Sequence, residues 1–343
     1  MYLSLSGGNE LTQDSLVERA KRLHFKTLVI DAHCDTLLDI ACGNRKLCSL
    51  SDSGHLDLPR MRQGGVGIQF MAAFIESEYK PERSLKRALQ LVDIAQGEIA
   101  ENSHELTLIT SRQDLLRIRQ EHRIGIVLSI EGGEALADDL GVLRCFYRLG
   151  VRSIGLTWNQ RNSLADGVGE GESAGGLSSL GRQVVKEMNR LGMLIDVSHL
   201  AEKGFWDVLE VTNRPIIASH SNCQAICPHP RNLNDDQIKA LARNGGVMGI
   251  NFAPDFISAK HANLEILLDH IDHVVQLVGP KHVGLGSDFD GIDNIVEGLE
   301  DVSKLPAITH GLVRRGYSDQ DITDILGGNF WRVMMEVLER KEI

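Results

Sequence analysis

The chain has 343 residues, 42% of them hydrophobic and 24% charged, which are ordinary values for a folded protein with a large core. A net charge of −11 and the lack of any basic stripe (Arg314 and Arg315 form one of the longer clusters) argue against a nucleic-acid partner. No apolar run approaches the ~18 residues that cross a bilayer.

The opening MYLSLSGGNELTQDSL lacks the basic start and apolar stretch of a secretory leader. The charged run Glu339-Arg340-Lys341-Glu342 is unlike a lipid-anchor tail. A cytoplasmic location is therefore expected, with no membrane partner. The six cysteines, Cys34, Cys42, Cys48, Cys145, Cys223 and Cys227, contain no Cys-x-x-Cys pair and are read as free thiols.

In chain order, residues 1–25 form an N-terminal extension or helix, after which apolar or β-branched runs recur with helical segments between most of them. The eight runs are 27–35 (TLVIDAHCD), 66–75 (VGIQFMAAFI), 125–131 (GIVLSIE), 153–159 (SIGLTWN), 194–199 (LIDVSH), 215–220 (PIIASH), 246–252 (GVMGINF) and 282–288 (HVGLGSD). Helical spacing marks 84–100 and 180–191, the latter stopping at Gly192. Asn234 is a good N-cap for the segment that follows it, and 265–278 fills the gap before the last run. The stretch 41–59 reads as a long loop. Eight strands alternating with helices predict one (β/α)8 barrel, a TIM-type α/β fold of the metal-dependent hydrolase kind, over 26–330 within a single domain of 1–343; 331–343 ends a C-terminal helix. An open doubly wound sheet would need a G-x-G-x-x-G loop after the first strand, and none is present.

Polar residues fall at the ends of these runs. His33, Asp35, Glu131, His199, His220 and Asp288 all close a predicted strand, and in a barrel every strand's C-terminal end opens on the same mouth. Side chains two apart on a strand share a face, so His33 and Asp35 can grip one ion together. Three imidazoles and two carboxylates exceed what a single catalytic zinc takes from protein. They suit two divalent ions about 3.5–4 Å apart with a hydroxide between them. Nitrogen-plus-carboxylate ligation favours Zn, with Mn, Co or Fe as alternatives. Asp288 is the natural proton carrier and Asp290 its neighbour in the loop. Arg231, on the loop after 215–220, either clamps a substrate carboxylate or is a surface arginine on a Pro-rich turn.

The segments IDAHCDT, SIEGGEAL, GVRSIGLTWN, LIDVSHL, PIIASHSN, PRNLNDDQI and VGLGSDFDG resemble the membrane (renal) dipeptidase family, in order, from about residue 28 to about residue 330. The resemblance implies a barrel with a binuclear zinc site that cleaves dipeptides. It implies that His33 and Asp35 bind one zinc, His199 and His220 the other, and Glu131 both. Arg231 would hold the substrate's C-terminal carboxylate and Asp288 would shuttle the proton. It also implies tolerance of a D-residue at the C-terminal position, β-lactam opening in some members, and a homodimer as a common state.

One departure concerns the substrate. Where mammalian members carry a histidine that polarises the scissile carbonyl, this chain has Trp158 followed by Asn159. These two are expected to contact substrate, Trp158 by shaping the pocket and Asn159 as a possible oxyanion donor. Two other readings compete. A different binuclear amidohydrolase acting on a non-peptide amide would show H-x-H on the first strand and a carbamoylated lysine on the fourth. A metal-binding accessory protein that lost turnover would have no need for Asp288 and Arg231.

Overall fold

The computed structural model describes residues 13–338; the first twelve residues and the charged run 339–342 lie outside the described residues. The strands are β1 Val29–Asp31, β2 Val66–Phe74, β3 Leu106–Leu108, β4 Ile124–Glu131, β5 Val151–Gly155, β6 Leu194–Asp196, β7 Ile217–Ala218, β8 Val247–Ile250 and β9 Val283–Leu285. All pair in parallel. The ladder runs β2-β1-β9-β8-β7-β6-β5-β4, and β4 pairs back onto β2 from Ile68↔Gly125 to Phe74↔Glu131. Eight strands thus close a barrel with helices around it, as the periodic pattern predicts.

β3 is the addition. It lies against the start of β4, Leu106 opposite Ile124, outside the closed ring. Its three residues are too few to show an alternation. The expected run 27–35 is also longer than β1. Beyond Asp31 the chain keeps irregular bonds, with Ala72 N donating to Cys34 O (2.9 Å), Asp288 N to His33 O (3.2 Å) and Asp35 N to Phe289 O (2.9 Å). These residues leave the regular ladder and form the rim of the mouth.

Alternation along the strands sorts the core into two layers. Ile30, Ile68, Phe70, Leu194, Ile217 and Val247 pack together with Phe330, Val333 and Met334 of the helix Asn329–Val337. Their chain neighbours Val29, Met71, Ile195, Ala218 and Met248 belong to the other cluster, shared with the surrounding helices. The helices Ser84–Glu101, Ser179–Leu191, Asp235–Arg243 and Leu264–Val278 fall where the periodicity puts them, to within a residue. Asn234 caps Asp235–Arg243 in a reciprocal capping box with Gln237. Between Leu37–Ala41 and Leu58–Gln63 the chain is irregular, in agreement with the expected loop.

Candidate metal centre and active site

His33 and Asp35 follow β1, Glu131 is the last residue of β4, and His199, His220 and Asp288 lie just past β6, β7 and β9. The barrel mouth brings all six together. His33 Nε2 stands 3.3 Å from Asp35 Oδ2, 3.3 Å from Glu131 Oε2 and 3.8 Å from Asp288 Oδ1. The other oxygen of Glu131 faces the opposite way: Oε1 is 2.8 Å from His199 Nε2 and 3.6 Å from His220 Nε2. Both His199 (φ 66°) and Asp288 (φ 65°) sit in the left-handed region. Such conformations cost energy in non-glycine residues and concentrate at functional sites.

The outer bonds of the two histidines fix their tautomers. Ser219 Oγ donates to Asp196 Oδ2, so its oxygen is left to accept from His220 Nδ1–H at 2.7 Å. His199 Nδ1–H donates to Asn159 Oδ1 at 2.8 Å. Each ring therefore presents a bare Nε2, and the two nitrogens are only 2.9 Å apart. Two lone pairs at that distance repel unless a cation lies against both. A buried oxygen of Asp35, Oδ1, likewise has no partner among the described residues. This donor set fits divalent metal.

Electrostatics set His199 and His220 apart from His33. Burial drives the pKa of His199 well down and that of His220 down, which keeps both neutral as ligands must be. Burial also lifts the Asp35 carboxyl to about 7, against the pull of His33. Burial opposes charge on His33 and on Glu131, but each is the other's main counter-charge, so the histidine is held well above its ordinary range and the carboxylate well below.

Beneath these groups lies a layer that sequence reasoning missed. Asp31 accepts from Ser287 N (2.7 Å), Ser287 Oγ (2.6 Å) and Gln69 Nε2 (2.9 Å), tying β1 to β2 and to the end of β9. Asp196 accepts from Ser198 N (3.0 Å) and Ser219 N (2.9 Å), joining the ends of β6 and β7. Asn251 Nδ2 donates to Asp288 Oδ2 at 2.9 Å. Asp31 and Asp196 were visible as carboxylates inside apolar runs, a signal that buried partners must exist.

A cavity of about 280 Å³ opens over the centre, lined by Asp35, Glu131, His199, Asp288, Phe74, Trp158 and Asn159 among others. That is at the small end for ligand sites and suits a short substrate. Gly291 forms part of its lining, and a Cβ there would fall 2.1 Å from Asp35 Oδ2, so only glycine fits. Trp158 packs its ring 5.3 Å from Phe74 and 6.0 Å from His199. Asn159 also lines the cavity, but its side-chain oxygen is engaged by His199. Arg231 is buried rather than on the surface. It lines a separate small cavity of about 60 Å³ beyond His199, gives Nη2 to His220 O at 2.9 Å, and leaves Nε without a partner among the described residues.

As a whole, the chain is similar to known proteins of one kind. Residues 17–342 match the sequence pattern of the membrane dipeptidases, peptidase family M19. The dipeptidase verJ of Clonostachys rogersoniana is 38% identical over 299 residues, covering 83% of this chain and 76% of that protein. An uncharacterized dipeptidase of Schizosaccharomyces pombe is 36% identical over 357 aligned positions, covering 97% and 85%. A metallopeptidase from Rhodobacter sphaeroides, solved with a phosphinate mimic of the dipeptide L-Ala-D-Ala, superposes with a TM-score of 0.85 at 30% identity, over 91% of this chain and 99% of that one. Among the described residues no helix is long and apolar enough to cross a membrane. With that match across nearly its whole length and a donor set fit for metal at the barrel mouth, the chain belongs to the membrane dipeptidase family, peptidase family M19, and is a metal-dependent hydrolase of peptide bonds.

Proposed function

We propose that this dipeptidase works with two divalent ions, zinc by preference, and cleaves dipeptides that include those with a D-residue at the C-terminal position. The observation that carries the two-ion reading is the orientation of Glu131. Its Oε2 faces His33 and its Oε1 faces His199 and His220. One carboxylate would thus serve two ions, with His33 and Asp35 toward one and the paired imidazoles toward the other. Bound there, the ions would supply a water that is nucleophilic at neutral pH and would polarise the scissile carbonyl.

The remaining work falls to the chain. Asp288 keeps Oδ2 on Asn251 and turns Oδ1 toward the centre. In this reading it takes the proton of the attacking water and returns it to the departing amine. The unpartnered Nε of Arg231 is a charge-assisted donor for the substrate's carboxylate. Asn159 orients His199, and Trp158 bounds the space left for substrate. Tolerance of a D-residue is supported by the family resemblance and by the L-Ala-D-Ala mimic held by the Rhodobacter relative.

The test is amine release from L,L- and L,D-dipeptides, with metal analysis of the protein and a chelated control. Cleavage of both series, lost on chelation, with two ions per chain supports the reading. One ion per chain in the active protein, or an L,D series left uncut while the L,L series is cleaved, overturns the corresponding part.

A further inference from the structure

The catalytic cavity has a larger neighbour. A chamber of about 830 Å³ is lined by Ser77, Lys80, Glu134, Gln160 and Arg161 among others. Phe74 and Trp158 face the catalytic cavity, while Lys80, on the chamber side, lays its ammonium 5.4 Å from the Phe74 ring centre and 5.0 Å from that of Trp158. The two rings are 5.3 Å apart, so the ammonium sits over the seam between them. Its side chain is 10% exposed, and its counter-charge is Glu134 Oε1 at 2.5 Å, itself 7% exposed. Asn162 Nδ2 holds the other oxygen of Glu134 at 2.9 Å. Among the described residues no second polar partner competes for the ammonium.

A cation this enclosed is held by its carboxylate and by the negative faces of the two rings. The arrangement spans three loops: Lys80 follows β2, Glu134 follows β4 and Trp158 follows β5. We infer that Lys80, braced by Glu134, is a positioning residue that pins Trp158 as the wall between the two cavities, and that this wall sets the size limit for the side chain of the substrate's N-terminal residue. The inference rests on the dipeptidase reading above. That reading gives the carboxylate end of the substrate to Arg231, whose guanidinium carbon lies 5.4 Å from the centre of the Phe256 ring, and so leaves the Phe74–Trp158 end to the N-terminal residue. Uncharged side chains fit such a wall, because the ammonium set against it is already paired with Glu134.

Two variants test this. Trp158→Ala joins the cavities, and the double variant Lys80→Met/Glu134→Gln removes the brace without leaving a buried charge unpaired. kcat/KM is measured for Xaa-Ala and Ala-Xaa series running from Ala to Leu to Phe, in proteins of verified metal content. Trp158→Ala should raise the Phe-Ala to Ala-Ala ratio by about tenfold or more, the scale on which apolar pockets discriminate size. The double variant should move the same ratio in the same direction by a smaller factor. An unchanged ratio in metal-loaded Trp158→Ala, or a shift confined to the Ala-Xaa series, overturns the inference.

A second readout needs no turnover. The difference in emission between the wild type and Trp158→Phe isolates Trp158 from the other two tryptophans, Trp206 and Trp331. In the Lys80→Met/Glu134→Gln background that emission should shift to longer wavelength and become more open to acrylamide. No change there overturns the pinning role, even if no dipeptide proves to be a substrate, an outcome that would instead defeat the dipeptidase reading.

Discussion

Asp288 and Asp290 are near neighbours with almost the same left-handed backbone, φ 65° and 66°, and their carboxylates have opposite circumstances. Asp290 is saturated: Thr36 Oγ1 donates to its Oδ2 at 2.6 Å, Arg45 pairs with the same oxygen, and His55 N donates to Oδ1. Among the described residues the Asp288 carboxylate accepts one hydrogen bond, from Asn251, and turns an oxygen to His33 at 3.8 Å. The latter is the freer of the two to take up a proton in flight. Asp288→Ala should therefore lower kcat by about 10²–10⁴, the usual worth of a general acid–base, while metal analysis finds the ions retained. Full activity would remove Asp288 from the mechanism. Sequence alone put Asp288 at the end of a strand and Asp290 in the loop beyond it, and could rank them only by that position. The distinction lies in partners at 36, 45 and 55, which no spacing reveals.

The element that benefits from Asp290 is the loop between β1 and β2. Arg45 reaches from its first half to Asp290, to Asp39 and to Leu56 O, and His55 closes its second half, accepting from Asp290 N at 2.9 Å through Nδ1. Burial lowers the pKa of His55, which keeps that nitrogen free to accept. A stretch without periodicity is thus anchored by one carboxylate that also lines the catalytic cavity. Asp290→Ala would leave the Arg45 guanidinium, 3% exposed, without its nearest counter-charge. The expected cost is about 3–5 kcal/mol, read as a lower urea midpoint at unchanged slope and as faster proteolysis within 41–59. An unchanged midpoint would show that Asp39 suffices. From sequence this loop could be recognised but not placed, because its anchors come from the far end of the chain. The regular helices were legible for the converse reason: their signals, such as Asn234 with Gln237 or the stop at Gly192, are all local.

At the scale of the molecule, the eight-strand ring and the meeting of His33, Asp35, Glu131, His199, His220 and Asp288 were legible, because a closed parallel barrel carries every strand end to one mouth. β3 was not, nor were the buried ties Asp31–Ser287 and Asp196–Ser219, which join the ends of different strands. A native-state centre of this kind couples metal to stability: ions held by the folded chain alone add ~2.7 kcal/mol at a hundredfold excess over Kd. Exhaustive chelation should accordingly lower the melting temperature, by about 5 °C or more on that figure, and readdition of zinc should restore it. A melting temperature indifferent to chelator would mean that the site adds nothing to the fold.

The seam where β1 meets β9, Asp31 opposite Leu285, joins the two ends of the barrel's sequence. His33 lies on one lip of that seam and Asp288 on the other, and the backbone bond from Asp288 N to His33 O stitches them. A nascent chain therefore cannot bring Asp288 to the other five residues of the mouth until its last strand has docked beside its first. Contacts that distant in sequence form slowly. Proton transfer through Asp288, if it is the carrier proposed above, would then begin only when the ring shuts, so that the onset of chemistry and the completion of folding coincide.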